Sequence, residues 1–147
     1  MIQRIQTLYI LLSAILTGLL FALPFAEIVQ NGQVYVFCIR GILKEGLVQE
    51  SGLPIAVFTG LIFILHVVAL FFFKKRVLQI RILIFSVILL LGLFGLFYFF
   101  TYYSINDASV SFKIAVAFPL VASVFDYLAI RGIGKDEALI RSIDRIR

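Results

Sequence analysis

Leu53-Pro54-Ile55-Ala56-Val57-Phe58-Thr59-Gly60-Leu61-Ile62-Phe63-Ile64-Leu65-His66-Val67-Val68-Ala69-Leu70-Phe71-Phe72-Phe73, then Lys74-Lys75-Arg76-Val77-Leu78-Gln79-Ile80-Arg81, then a second apolar run over 82–103, is the stretch whose reading decides the fold. Each apolar run is about 20 residues, the length at which a helix crosses a hydrocarbon core of roughly 30 Å. Lipid offers the backbone no hydrogen-bond partners, so each run must be helical. The stretch predicts a transmembrane helical hairpin with a basic turn. The whole chain agrees in composition: 147 residues, 63% hydrophobic, 14% charged, mean hydropathy +1.12. A soluble domain is nearer half apolar and a quarter charged, so lipid must cover part of this surface.

Outward from the hairpin, the N-terminal segment carries Arg4 and then an apolar run from Thr7 to Leu23. It is longer than a signal-peptide core, and Leu23-Pro24-Phe25-Ala26 is a poor cleavage site, which predicts an uncleaved helix over 5–26. Residues 27–52 form the one sizeable soluble segment. Asn31-Gly32 between Ile28-Val29-Gln30 and Gln33-Val34-Tyr35-Val36-Phe37 predicts a β-hairpin, because both turn positions need positive φ. Gly46-Leu47-Val48-Gln49 is a candidate third short strand. The hairpin helices are expected over 53–75 and 78–103, with the aromatic cluster at 97–103 marking a membrane boundary. A fourth helix is expected over 109–131, kinked at Pro119 and with Lys113 snorkelling at its outer end. In the tail, over 132–147, Gly132 and Gly134 form an expected hinge before a short amphipathic helix bearing Leu139, Ile140, Ile143 and Ile146.

Charge sets the orientation. Arg4, Lys74, Lys75, Arg76, Arg81, Arg131, Lys135, Arg141, Arg145 and Arg147 fall on one side, and Arg40, Lys44 and Lys113 on the other. The positive-inside rule then puts both termini and the central turn in the cytoplasm, and the 27–52 loop in the periplasm. The expected fold is therefore all-α: a single membrane domain over 1–147, with four transmembrane helices in an antiparallel bundle, a small periplasmic hairpin and a cytoplasmic amphipathic tail helix.

Few residues carry chemistry. His66 lies about two helical turns before the basic turn, and Asp126 about one turn inside the same boundary. A carboxylate at that depth is costly unless paired or protonated. Arg81, at comparable depth, is the expected partner of Asp126, and His66 is the alternative. One cysteine, Cys38, excludes an internal disulfide. With a single histidine it also excludes a usual metal site within the chain. No phosphate loop, H-E-x-x-H, C-x-x-C or G-x-S-x-G is present, so no enzymatic activity and no cofactor are expected. The net charge of +5 reports topology and headgroup contact rather than nucleic acid, because no aromatics interleave with the basic residues.

Three stretches carry a likeness to a known family: Met1-Ile2-Gln3-Arg4-Ile5-Gln6-Thr7-Leu8-Tyr9, Lys75-Arg76-Val77-Leu78-Gln79-Ile80-Arg81, and Lys135 through the final Arg147. Together they resemble the domain-of-unknown-function 4293 family, small four-pass inner-membrane proteins of the Bacteroidota. The resemblance implies a Gram-negative inner membrane and brings no activity, cofactor or catalytic residue.

The residues leave three functional expectations. The first is an accessory or interaction subunit that docks on other integral membrane proteins within the bilayer. Protein-translocation or secretion machinery is one partner class, which the residues do not choose over a respiratory complex. The second is a small proton-coupled transporter or channel using His66, Asp126 and Arg81. The third is binding of anionic lipid at the cytoplasmic leaflet. The expected partner or lipid contacts are Lys74, Lys75, Arg76, Leu139, Arg141, Ile143, Arg145, Ile146 and Arg147.

Overall fold

The structure is a computed structural model that describes residues 2–103 and 109–144, with side chains over 5–102 and 109–140 and at Ser142. Four helices and a five-stranded sheet make up the fold: α1 Ile2–Leu19, β1 Ala26–Gln30, β2 Gln33–Cys38, β3 Gly41–Lys44, β4 Leu47–Ser51, α2 Leu53–Phe71, α3 Arg76–Tyr103, β5 Ser109–Phe112 and α4 Phe118–Asp144. A 3-10 turn, Ile114–Ala117, leads into α4.

The sheet overturns the all-α expectation. All its pairings are antiparallel, in the order β4-β3-β2-β1-β5. Asn31 (φ 51) and Gly32 (φ 75) make the β1–β2 turn. The chain then returns twice more, with Glu45 and Gly46 also at positive φ between β3 and β4. The fifth strand comes from residues expected in the fourth helix. Ser109-Val110-Ser111-Phe112 alternates polar and apolar, the period of a strand, and pairs with β1 from Ala26↔Phe112 to Val29↔Ser109. Without β5, the outer edge of β1 would be unpaired.

Every buried side chain of the strands is apolar. Phe25, Ala26, Ile28, Phe37 and Ile42 are buried and join Ile55, Leu93 and Phe97 of the helices in one cluster. The rings of Phe25 and Phe97 lie tilted against each other with centroids 4.4 Å apart, and Phe37 meets Phe25 edge-on at 5.2 Å. The expected aromatic belt is thus divided: Phe97 anchors the sheet, while Tyr98 and Tyr102 remain exposed. At the joint between sheet and α2, Gly41 (φ 115) and Gly52 lie back to back. A Cβ on either would strike the other's backbone.

Three stretches are long and apolar enough to cross a membrane: Leu53–Phe71, Arg76–Tyr102 and Ile114–Ile140. The apolar part of α1, Ile5–Leu19, is shorter, so four equal spans are not observed. The chain leaves α1 at Leu19 and enters the sheet at Ala26, ahead of the expected helix end. Because both α1 and α3 lead towards the sheet, and α2 and α4 away from it, neighbours alternate in direction. Each helix packs on two others: α1 on α2 and α4, α3 on α2 and α4.

The start and end of α4 also differ from expectation. Pro119 sits in the first turn, where a missing N–H costs nothing, and begins the helix instead of kinking it. Lys113 pairs with Glu27 at 2.9 Å, joining the end of β5 to β1. Gly132 and Gly134 make no hinge, since α4 continues unbroken to Asp144. At Gly132 the absent side chain makes room for Gln6 of α1, whose Cγ lies 2.9 Å from where a Cβ would stand. Gln6 then donates from Nε2 to Asp136 at 2.8 Å, fastening the start of α1 to the far part of α4.

Candidate functional site

The helices meet along seams spaced alternately four and three residues. On α1 the seam runs through Gln6, Ile10, Ser13 and Thr17, with Ala14 buried beside it; on α2 it runs through Ile55, Thr59, Ile62, His66 and Ala69. On α3 it runs through Gln79, Leu83, Ser86, Leu90, Leu93 and Phe97, with Thr101 buried one turn further; on α4 it runs through Pro119, Ala122, Asp126, Ala129 and Ile133. This is the heptad spacing of left-handed helix packing. The outward faces carry Leu, Ile, Val and Phe, whereas every seam includes polar residues. In lipid that distribution is favourable, because polar groups find partners only between helices.

The seams bring four polar residues to one level, one from each helix: Ser13, His66, Ser86 and Asp126, all with no exposed surface. His66 lies between Ile62 and Ala69, Asp126 between Ala122 and Ala129, and Ser86 between Leu83 and Leu90. In each case one flanking residue belongs to the apolar cluster on the sheet side and the other to the cluster on the far side. The polar layer is therefore sealed above and below by hydrocarbon side chains.

At its centre, His66 Nε2 stands 3.0 and 2.9 Å from the two carboxylate oxygens of Asp126. His66 Nδ1 lies 2.9 Å from the Ile62 carbonyl oxygen. A carbonyl only accepts, so Nδ1 carries a proton. The line from Nε2 to Asp126 then needs one proton of its own. It sits on nitrogen, giving imidazolium and carboxylate, or on oxygen, giving two neutral groups. The net charge of the pair is zero either way, which is why it tolerates complete burial where a lone carboxylate would not. Ser13 donates to the carbonyl of Ala122, one turn from Asp126, at 3.0 Å. Among the described residues the buried hydroxyls of Ser86 and Thr59 have no partner.

Asp126 is thus paired with His66 and not with Arg81, the partner expected from depth alone. Arg81 is exposed and points to a different place, a concavity of about 600 Å³ shared with Lys74, Lys75, Arg76, Val77, Leu78, Glu137 and Ile140. Leu139 is exposed further along α4. The side chains of Arg141 and Ile143, and the whole of Arg145, Ile146 and Arg147, lie outside the described residues. Sequence reasoning missed Gln6, Thr59 and Gln79 as seam residues. Gln79 donates to the Ala69 carbonyl at 2.9 Å and so satisfies a last-turn acceptor of α2. The signal that could have found them was the heptad recurrence of polar residues within otherwise apolar helices. Among the described residues no group of histidine, cysteine or acidic side chains is placed to hold a metal ion.

Long apolar helices closing over a sealed polar pair, with a sheet across one end, mark the class as a small helical membrane protein. The chain belongs to the family described as Domain of unknown function (DUF4293), whose model matches residues 2–146. No curated protein and no solved structure matches it.

Proposed function

We propose that the protein is a non-enzymatic accessory subunit of a larger inner-membrane assembly, with its termini and the α2–α3 turn in the cytoplasm and its sheet in the periplasm. The observation that carries this reading is the outer edge of β4. Among the described residues the strand pairs with β3 on one side only, and all five of its residues are exposed, Leu47 by 70%. An open, partly apolar edge is a template for a strand from another protein. The orientation is supported by Lys74, Lys75, Arg76 and Arg81 at the end away from the sheet. The sealed helix interior supports a role in contact rather than in conduction.

Gentle affinity purification from native membranes tests the reading. A larger particle should be recovered with the natural chain and lost with Leu47→Lys/Val48→Lys, which puts charge on the open edge. Recovery of this chain alone, from both natural and altered forms, would refute it.

A second reading, a small proton-coupled transporter or channel, is favoured by one observation: two titratable side chains, His66 and Asp126, meet at 2.9 Å in the buried layer between the helices. Arg81 does not belong to that set. The reading expects proton flux in proteoliposomes that Asp126→Asn abolishes, and absence of flux in the natural protein ends it.

A further inference from the structure

The concavity at the α2–α3 turn is not used by either reading. Its floor is the beginning of α3, with Arg76, Val77 and Leu78, whose first-turn N–H groups have no acceptor within the helix. Lys74, Lys75, Arg76 and Arg81 bring four cationic side chains to its lining. Its other wall, Glu137 and Ile140, exists only because α4 runs on beyond Gly132 and Gly134 without a hinge.

We propose that this concavity binds a phosphate group, and that the phosphate is the headgroup of an anionic lipid. Three observations converge. Arg76 Nη1 is buried and has no partner among the described residues. A guanidinium nitrogen so placed is stabilised by an oxyanion, which the α3 N-terminus also favours. Among the described residues an ion pair with a carboxylate is seen for Lys113, at the opposite end of the molecule, and for none of Lys74, Lys75, Arg76 and Arg81. The concavity also offers hydrocarbon next to its charge. Phe73 (57% exposed), Val77 (41%), Leu78 (37%) and Ile140 (43%) lie at or beside it. A free phosphate has no use for such a rim, but the glycerol and upper acyl chains of a lipid do. Glu137, the acidic residue of the lining, has an interaction of its own.

The test uses the full chain in detergent, with bound lipid read by native mass spectrometry. Phosphatidylglycerol should be retained in preference to phosphatidylcholine. Arg76→Gln/Arg81→Gln should weaken its binding about 25-fold, about fivefold for each charge removed. Circular dichroism and a control variant, Lys113→Gln, separate loss of the site from loss of the fold: Lys113→Gln should keep both helix content and lipid. Inorganic phosphate supplies the second arm. If millimolar phosphate binds, and lipid class makes no difference, the oxyanion site stands but its occupant is free phosphate. Equal retention of the two lipids without phosphate binding, or unchanged preference in folded Arg76→Gln/Arg81→Gln, overturns the proposal.

Discussion

The sheet and the helix seams bury opposite kinds of side chain. Beneath the sheet lie Phe25, Ala26, Ile28, Phe37 and Ile42, and no strand contributes a buried polar side chain. Between the helices lie Gln6, Ser13, Thr17, Thr59, His66, Gln79, Ser86 and Asp126; the other buried polar residue described, Thr101, lies one turn beyond Phe97 and donates to its carbonyl. One solvent difference explains both. Strands that face water gain by hiding hydrocarbon, whereas helices in lipid gain nothing by exchanging one hydrocarbon surface for another. What holds the helices together is therefore close packing and internal hydrogen bonding, and their specificity resides in groups such as His66 and Asp126.

The sharpest way to break this comparison is to remove one large apolar group from beneath the sheet. Phe37 contacts Phe25, Phe97 and Phe100. Phe37→Ala should destabilise the sheet by about 4 kcal/mol, read as early loss of strand signal in a thermal melt while helix signal persists. Equal loss of both signals would mean that the two regions are one cooperative unit.

Breaking the polar pair should come next. Asp126→Ala leaves an imidazole buried without its acceptor and should cost about 3 kcal/mol, measured by SDS titration of the detergent-solubilised protein. The double variant His66→Leu/Asp126→Leu should recover most of that loss, since neither partner is then stranded. A double variant as unstable as the single one would show that the layer does more than satisfy itself.

A smaller effect is expected where α1 crosses α4. Gly132→Ala pushes against Gln6 and should cost about 1 kcal/mol by displacing the Gln6–Asp136 hydrogen bond. Gln6→Ala in the same background should add little, because the two act through one contact. The smallest effect belongs to the surface. The Lys113–Glu27 pair is more than 40% exposed on both sides, and Lys113→Gln should change stability by no more than about 0.5 kcal/mol.

Much of the helical part was legible from residue order. Apolar length located α2 and α3, and the basic residues between them located the turn. The same reasoning overran at both ends of the chain. It took the apolar character of Ser109–Phe112 as the beginning of a helix, although the two-residue alternation was present, because that alternation runs for only four residues. It took Gly132 and Gly134 as a hinge, since glycine favours flexibility when nothing packs on it, and Gln6 was not in view. Depth in the membrane matched Asp126 with Arg81, but depth says nothing about which face of a helix a residue occupies.

Residue order alone was enough for properties that depend on neighbours in the chain: hydrophobic length, the charged turn, and the Asn31-Gly32 bend with its positive φ. Folding was needed for everything that depends on rotation and distance. Asp126 reaches His66 across 60 positions because the seams of α2 and α4 face each other. Ser109–Phe112 is extended because β1 leaves an edge about 80 positions away. Gln6 holds Asp136 across 130 positions because a glycine lets the two helices close. A local pattern specifies an element, but a partner is specified only when two elements have come to rest against each other.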